Sequence, residues 1–337
     1  MKVEQRATER QSGEALSDRA TLLSLYREML LIRRFEEKTA EMYQMAKIGG
    51  FCHLNIGEEA AIVGAISALR PQDYIYSNYR EHGHALAKGV DAKAVMAELF
   101  GKETGTSHGR GGSMHLFSQE HRFYGGYAIV GQALPLACGT AYAINYKDKA
   151  EVVMSIFGDG ATNIGAFHES LNVAKLWHLP IVFVCINNQY GMGTSVKRAS
   201  AVTEIWKKAC AYDMTGENVD GMDVIAVRRV ADRLVAQARE KREPSLLECV
   251  TYRYRGHSMS DPDTYRGKDE IKQWQGRDAI LGLGDHLQKQ KMASANELQK
   301  IDEAITSEVE TAVKFADESP EPDLKDLYRD VYAEEVG

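Results

Sequence analysis

The chain switches repeatedly between helical and strand periodicity, and the order of those switches predicts an α/β fold. Apolar residues recur at Leu22, Leu25, Met29, Ile32, Phe35 and Met42, one stripe of a long helix that Ser17 or Asp18 can cap and Gly49-Gly50 stops. Further helices fit residues 58–69, closed by Pro71, and 92–100. Residues 101–126 hold many glycines and little apolar periodicity, and so long an irregular stretch is more often functional than a mere connector. A helix that reads as buried follows over 134–146.

Apolar runs at 152–157 and 181–186, with a helix over 165–177 between them, have the pattern of a βαβ unit. Strands joined in that way lie parallel, so both carboxyl ends open on one edge of the sheet. Downstream come a polar helix near 204–212, an amphipathic helix over 224–241, a strand over 246–254 and a charged loop over 255–268. The last helix, 297–315, carries Ile301, Ile305, Val309 and Val313 at helical spacing, a stripe for the core or for a partner. No repeat, low-complexity tract or interior linker is seen. The expected organisation is a flexible arm over 1–17 and one α/β domain over 18–337, with helical extensions at both ends.

Composition narrows the function more than the fold. A chain of 337 residues with 44% hydrophobic and 26% charged residues is ordinary for a globular protein. A net charge of −7 leaves no basic surplus for neutralising phosphates, which argues against general nucleic-acid binding. Cys52, Cys138, Cys185, Cys210 and Cys249 are scattered without a CxxC pair; most lie in apolar runs and read as core thiols in a reducing compartment, not as a zinc cluster. No apolar run reaches membrane-spanning length. The N-terminal sequence mixes acidic and basic residues without an apolar centre, unlike a secretory or transit peptide, so bacterial cytoplasm is expected over mitochondrial matrix.

The chemistry concentrates where the two strands of the βαβ unit end. Gly158-Asp159-Gly160 follows the first and Asn187-Asn188 the second, so Asp159 and Asn188 can converge on one point with hard oxygen atoms. Such oxygens suit Mg²⁺, which commonly shares its shell with cofactor or substrate phosphates. A Rossmann glycine turn is the rival, but Asn163 replaces the third glycine of GxGxxG and a carboxylate in the turn would repel a bare pyrophosphate. A purely structural turn is the plainer alternative.

With this motif stand Phe51-Cys52-His53-Leu54, Tyr79-Arg80, Gly111-Gly112-Ser113-Met114-His115, Tyr190-Gly191-Met192-Gly193-Thr194-Ser195 and Tyr252-Arg253-Tyr254-Arg255-Gly256-His257-Ser258. The ordered set, over about residues 20 to 335, resembles the α subunits of the thiamine diphosphate-dependent 2-oxo acid dehydrogenases, most closely those acting on pyruvate. The resemblance implies a thiamine diphosphate-binding fold with Mg²⁺ held by Asp159, Asn188 and the Tyr190 carbonyl. It implies that Tyr79, Arg80, Gly160 and Ala161 meet the diphosphate, Arg80 through its planar fork and Gly160 and Ala161 through backbone N–H groups at the helix entry. Met192 matches an apolar wedge under the bent cofactor, while Ser118, Ala128 and Val130 match positions beside its rings; Ala128 stands where the family commonly has glycine.

His53 and His257 match catalytic positions beside the 2-oxo acid, His257 also touching the cofactor, and imidazole can donate a proton near neutral pH. His82, His84 and His115 could join that network. Ser195 and Ser258 match serines phosphorylated in mitochondrial relatives, and Thr264 lies near a third such site. No glutamate matches the one that activates the cofactor's pyrimidine. In two-chain members it comes from the β subunit, so the resemblance implies a heterotetramer of two α and two β chains. The lipoyl domain of a dihydrolipoamide acetyltransferase would then receive the acetyl group. Acetoin or a branched-chain 2-oxo acid remains open as substrate, as does a non-catalytic regulatory subunit.

Overall fold

Six parallel strands form the central sheet: β1 Tyr74–Asn78, β2 Phe123–Tyr127, β3 Val153–Gly158, β4 Ile181–Asn187, β5 Thr215–Asp220 and β6 Ser245–Val250. The computed structural model describes residues 18–329 and residue 331, so the arm expected over 1–17 lies outside the described residues. Across the sheet the strands run β2-β1-β3-β4-β6-β5. The chain steps outward from β1 to β2 and then returns to the other side of β1 with β3. That reversal opens a crevice between the carboxyl ends of β1 and β3, where open parallel sheets bind their ligands.

Both sheet faces are buried, which explains the unbroken apolar runs of β3 and β4. Successive side chains alternate: Met154, Ile156, Val182 and Val184 enter one core, and Val153, Phe157, Ile181 and Phe183 the other. The first core is covered by α1 Arg19–Gln44, α2 Glu59–Ile66, α3 His82–Ala87 and α4 Ala92–Leu99 from the N-terminal part. The second is covered by α5 Ala133–Tyr146 and α6 Gly165–Leu176. Later come α7 Val224–Lys241, α8 Lys268–Gln275, α9 Ala279–Lys289 and α10 Ala295–Glu318, of which α7, α9 and α10 join the first core. Fully buried Phe157, Phe167 and Phe183 each contribute roughly 1.5–3 kcal/mol by leaving water.

Helix boundaries follow their caps. The Asp18 carboxylate accepts from Thr21 N at 3.1 Å and starts α1. The helix ends at Gln44, short of Gly49-Gly50, because Ala46 turns left-handed (φ 58°). Lys47 N then donates to Met42 O and Ala46 N to Tyr43 O, a Schellman closure. A capping box between Ser294 and Glu297 starts α10 two residues before the expected 297, and the helix continues to Glu318, packing on α4 and α1.

Three expectations need correction. The segment near 204–212 is a 3₁₀ helix, Ile205–Tyr212, not an α-helix. The strand expected over 246–254 stops at Val250. Tyr252, Arg253 and Tyr254 are buried because the chain dives from the sheet into the site, with Tyr254 N donating to Ile56 O at 3.0 Å. Strands β1, β2 and β5 were not expected at all. β2 contains Gly125-Gly126, and β5 is a largely polar edge strand, so neither carries an apolar alternation.

Candidate functional site

A cavity of about 990 Å³ occupies the crevice. The end of β3 forms one wall. There Asp159 opens a separate 3₁₀ turn, Asp159–Asn163, and α6 begins only at Gly165. Gly160 and Ala161 line the cavity from that turn and not from the first turn of α6. Asp159 is 5% exposed and forms no ion pair among the described residues. Burial pushes its carboxyl up to about 7, so ionising it there calls for a cation.

The end of β4 supplies Asn188. Its Nδ2 donates to Glu58 Oε1 at 2.6 Å, and Tyr190 N approaches its Oδ1 at 3.3 Å. Asn187 turns away instead, donating to Glu248 Oε1 at 2.6 Å beneath the sheet edge. Beyond it a short hairpin, Tyr190–Gly191 paired with Thr194–Ser195, carries Met192 at its tip. Met192 is 63% exposed, lines the cavity and has a φ of 51°. A non-glycine residue held left-handed with its apolar side chain bared marks a position shaped for contact.

The end of β1 supplies Tyr79 and Arg80. The Arg80 guanidinium donates from Nη1 to Leu54 O at 3.0 Å and from Nη2 to His257 O at 2.8 Å. Its Nε lies 3.8 Å from Glu58 Oε1. His53 sits between Tyr79 and His257, with ring centroids 4.6 and 4.9 Å away. Burial first, and then the Arg80 charge, hold His53 down to about 2 and His257 to about 4. Both imidazoles are therefore neutral at ordinary pH, and the buried His53 Nδ1 has no hydrogen-bond partner among the described residues.

Most sequence-predicted residues converge here, with exceptions. Ala128 and Val130 line the cavity. Ser118 does not; its hydroxyl bonds to His121 Nδ1 at 2.8 Å, beside the bridge to Phe123. His82 is buried between Glu36 and Ser113, His84 bonds Ser77 at 2.5 Å, and His115 bonds Gly126 O at 2.9 Å. None of these three lines the cavity. Ser258 lines it with a hydroxyl 3.0 Å from Ser260 Oγ, Ser195 is half-buried and Thr264 is exposed.

Two charged residues escaped the sequence reading. Arg253, 1% exposed, donates to Tyr190 O at 2.9 Å, Met192 O at 3.1 Å and Tyr265 Oη at 2.8 Å, with no paired carboxylate among the described residues. Glu58, in GEEAA, reads as a solvated helix start yet is 2% exposed. Its burial depends on distant partners, which no local pattern signals. Among the described residues no group of three or more His, Cys, Asp or Glu could hold a metal. A cation in the cavity would rest on one carboxylate and neutral oxygens, a donor set that suits a hard ion already carrying phosphate.

The fold and the site together define an α/β protein with a ligand cavity at the switch point of a parallel sheet, lined by a carboxyl and a guanidinium that make no contact ion pair among the described residues. Comparison with known sequences gives the class a family. The family model described as dehydrogenase E1 component matches residues 27–325. The chain is 48% identical to the pyruvate dehydrogenase E1 component subunit alpha of Rhizobium meliloti, over 92% of this chain and 89% of that one. It is 47% identical to the protein of that name from Porphyra purpurea, over 93% of each. With the one from Zymomonas mobilis it shares 46%, over 95% of this chain and 90% of the relative. The chain belongs to the dehydrogenase E1 component family. No helix among the described residues is long and apolar enough to cross a membrane.

Proposed function

We propose that this chain is the α subunit of a thiamine diphosphate-dependent pyruvate dehydrogenase. It takes part in the oxidative decarboxylation of pyruvate and the reductive acetylation of a lipoyl group on a dihydrolipoamide acetyltransferase. The observation that carries the reading is the meeting of Asp159, Asn188 and Arg80 at the switch point, with His53 and His257 beside them. Relatives at 46–48% identity over nearly the whole chain supply the pyruvate.

The residues fit the cofactor. Asp159 is a buried carboxyl that, among the described residues, makes no contact ion pair and feels the Arg253 and Arg80 charges only from a distance, and the buried Arg253 guanidinium likewise touches no carboxylate. Asp159, Asn188 and the Tyr190 carbonyl would hold Mg²⁺. Arg80, Tyr79 and the backbone of Gly160 and Ala161 would hold the diphosphate, with Met192, Ala128 and Val130 against the rings. Bound thiamine diphosphate supplies a carbon nucleophile and an electron sink. His53 and His257, both neutral, are placed to bind the 2-oxo acid and hand a proton to developing negative charge. Residues 18–337 act as one diphosphate-anchoring domain, and a β subunit in an α₂β₂ assembly supplies the activating carboxylate. The bacterial relatives support a cytoplasmic setting.

The test is an assay of the chain with a β-type partner, Mg²⁺ and thiamine diphosphate on pyruvate, acetoin and 3-methyl-2-oxobutanoate. Turnover chiefly of pyruvate is expected. Turnover of acetoin alone, or none with cofactor unbound, overturns the proposal.

A further inference from the structure

We infer that Glu58 is a positioning residue: it fixes which end of the Asn188 amide faces the cavity and so sets the cation affinity of the site. The inference rests on the cation reading of Asp159 and Asn188 given above. An amide side chain presents a donor and an acceptor of nearly the same shape, and nothing in the group itself decides which meets a ligand. Glu58 decides it here. A carboxylate only accepts, so Nδ2 of Asn188 must face Glu58 Oε1, 2.6 Å away. Oδ1 is thereby turned toward Tyr190 N, 3.3 Å away on the strand exit that lines the cavity, and is the atom left for a hard cation.

Glu58 is itself held. Its Oε2 accepts from Asn55 Nδ2 at 3.0 Å, and Asn55 Oδ1 is fixed by Gly83 N at 2.9 Å. Arg80 Nε, 3.8 Å from Oε1, places a positive charge beside the carboxylate. The same carboxylate therefore touches one expected cation ligand and stands near the guanidinium expected to meet the diphosphate. A glutamine in its place could donate as well as accept, and both orientations of the Asn188 amide would be satisfied. Groups that orient metal ligands in this way typically change metal affinity tenfold to about a hundredfold when altered.

The experiment uses Mn²⁺ as the probe, titrated by electron paramagnetic resonance into the full chain assembled with its β-type partner and thiamine diphosphate. Glu58→Gln is expected to weaken Mn²⁺ binding by about tenfold or more, with turnover restored toward wild type at saturating Mn²⁺. In an Asn188→Asp background the sign should reverse. Two facing carboxylates repel, a glutamine at position 58 donates, and Glu58→Gln then tightens Mn²⁺. Equal Mn²⁺ affinity in wild type and Glu58→Gln overturns the inference and leaves the proposed function standing. Absence of cofactor-dependent Mn²⁺ binding in wild type sinks the cation reading instead. Should Glu58→Gln fold poorly, the paired variants decide: no tightening in the Asn188→Asp background overturns the inference.

Discussion

Arg253 ties two loops together: its Nη1 donates to the Tyr190 carbonyl at 2.9 Å while its Nε donates to Arg255 O at 3.1 Å. The first bond reaches the hairpin that carries Met192, and the second stays within the loop that carries His257. A planar fork can serve several carbonyls at once, and a lysine cannot. Arg253→Lys should therefore loosen both loops and weaken thiamine diphosphate binding by about tenfold or more, since each lost charged hydrogen bond is worth roughly 1.5–3 kcal/mol. Titration calorimetry reads the affinity, and limited proteolysis reads cleavage within residues 253–266. A lysine variant that binds cofactor like wild type and resists protease equally would show that the fork is dispensable.

Asp159 should trade stability for ligand. Burial raises its carboxyl to about 7, so at neutral pH the free chain carries the cost of a poorly solvated acid. Asp159→Asn removes that cost without changing shape. The variant should melt a few degrees higher than wild type in the absence of cofactor and, on the proposed function, lose the rise in melting temperature expected of wild type with Mg²⁺ and thiamine diphosphate. A variant that keeps the ligand-dependent rise means that Asp159 does not hold the cation.

Acid should destabilise the chain well above the ordinary carboxylate range. His84 is fully buried, with Nε2 unpartnered among the described residues, and burial lowers its pKa to about 3, helped by the nearby Arg80 charge. The unfolded chain takes up that proton near pH 6.5, and the folded chain only near 3. Between those values the unfolded state binds more protons, so stability is full above about pH 6.5 and declines as pH falls, by up to ~1.4 kcal/mol per pH unit for this group. Urea unfolding between pH 7 and 4 should show this slope added to that of His53 and His257, and His84→Gln should reduce it by up to ~1.4 kcal/mol per pH unit. An unchanged slope in the variant assigns the acid sensitivity elsewhere.

The sequence disclosed the parts of this site that lie next to each other along the chain. Gly158-Asp159-Gly160 and Asn187-Asn188 each end a long apolar run, and the parallel βαβ rule brings them together without any coordinates. Strands β1 and β2 left no such trace, because YIYSN and FYGGY are short, polar or glycine-rich and are held by their neighbours in the sheet. The roles of Glu58 and Arg253 were equally hidden. Each draws the partner that ties it to the site from a segment more than 60 residues away, Asn188 for the one and Tyr190 for the other.

The glycine-rich stretch over 101–126 depends on a single side chain just ahead of it. Glu98, fully buried at the end of α4, accepts from Ser107 N at 2.7 Å, Gly109 N at 2.9 Å, Gly111 N at 2.7 Å and Gly112 N at 3.0 Å. Four backbone donors on one carboxylate replace the regular structure that residues 101–111 lack. Glu98→Gln, able to accept through one oxygen only, should cost about 1–3 kcal/mol. Hydrogen exchange should quicken at residues 107–112 and hardly change in β3 and β4. Uniform change across the chain would mean that Glu98 supports the whole fold and not this loop.

An exposed apolar stripe predicts where the β subunit docks. Along α5, Pro135, Leu136, Gly139, Tyr142 and Tyr146 face outward at helical spacing. Leu136 is 42% exposed, Tyr142 49% and Tyr146 81%. Tyr142 stacks 6.4 Å from Tyr146 and lies 5.4 Å from Trp177, itself half exposed after α6. The N-terminal end of the stripe meets Ile129 and Val130, and Val130 lines the cavity. A helix face that bares this much aromatic surface is a contact surface by the usual composition of interfaces. Its continuity with the cavity fits the proposal that the partner delivers a carboxylate there. Tyr142→Glu combined with Trp177→Glu should leave the circular dichroism spectrum and melting of the chain alone unchanged, while abolishing co-purification with the β-type subunit. Activity of the mixed subunits should fall with assembly. If the double variant still forms the heterotetramer, judged by light scattering after gel filtration, the β subunit binds another face and the stripe contacts a second copy of this chain or nothing at all.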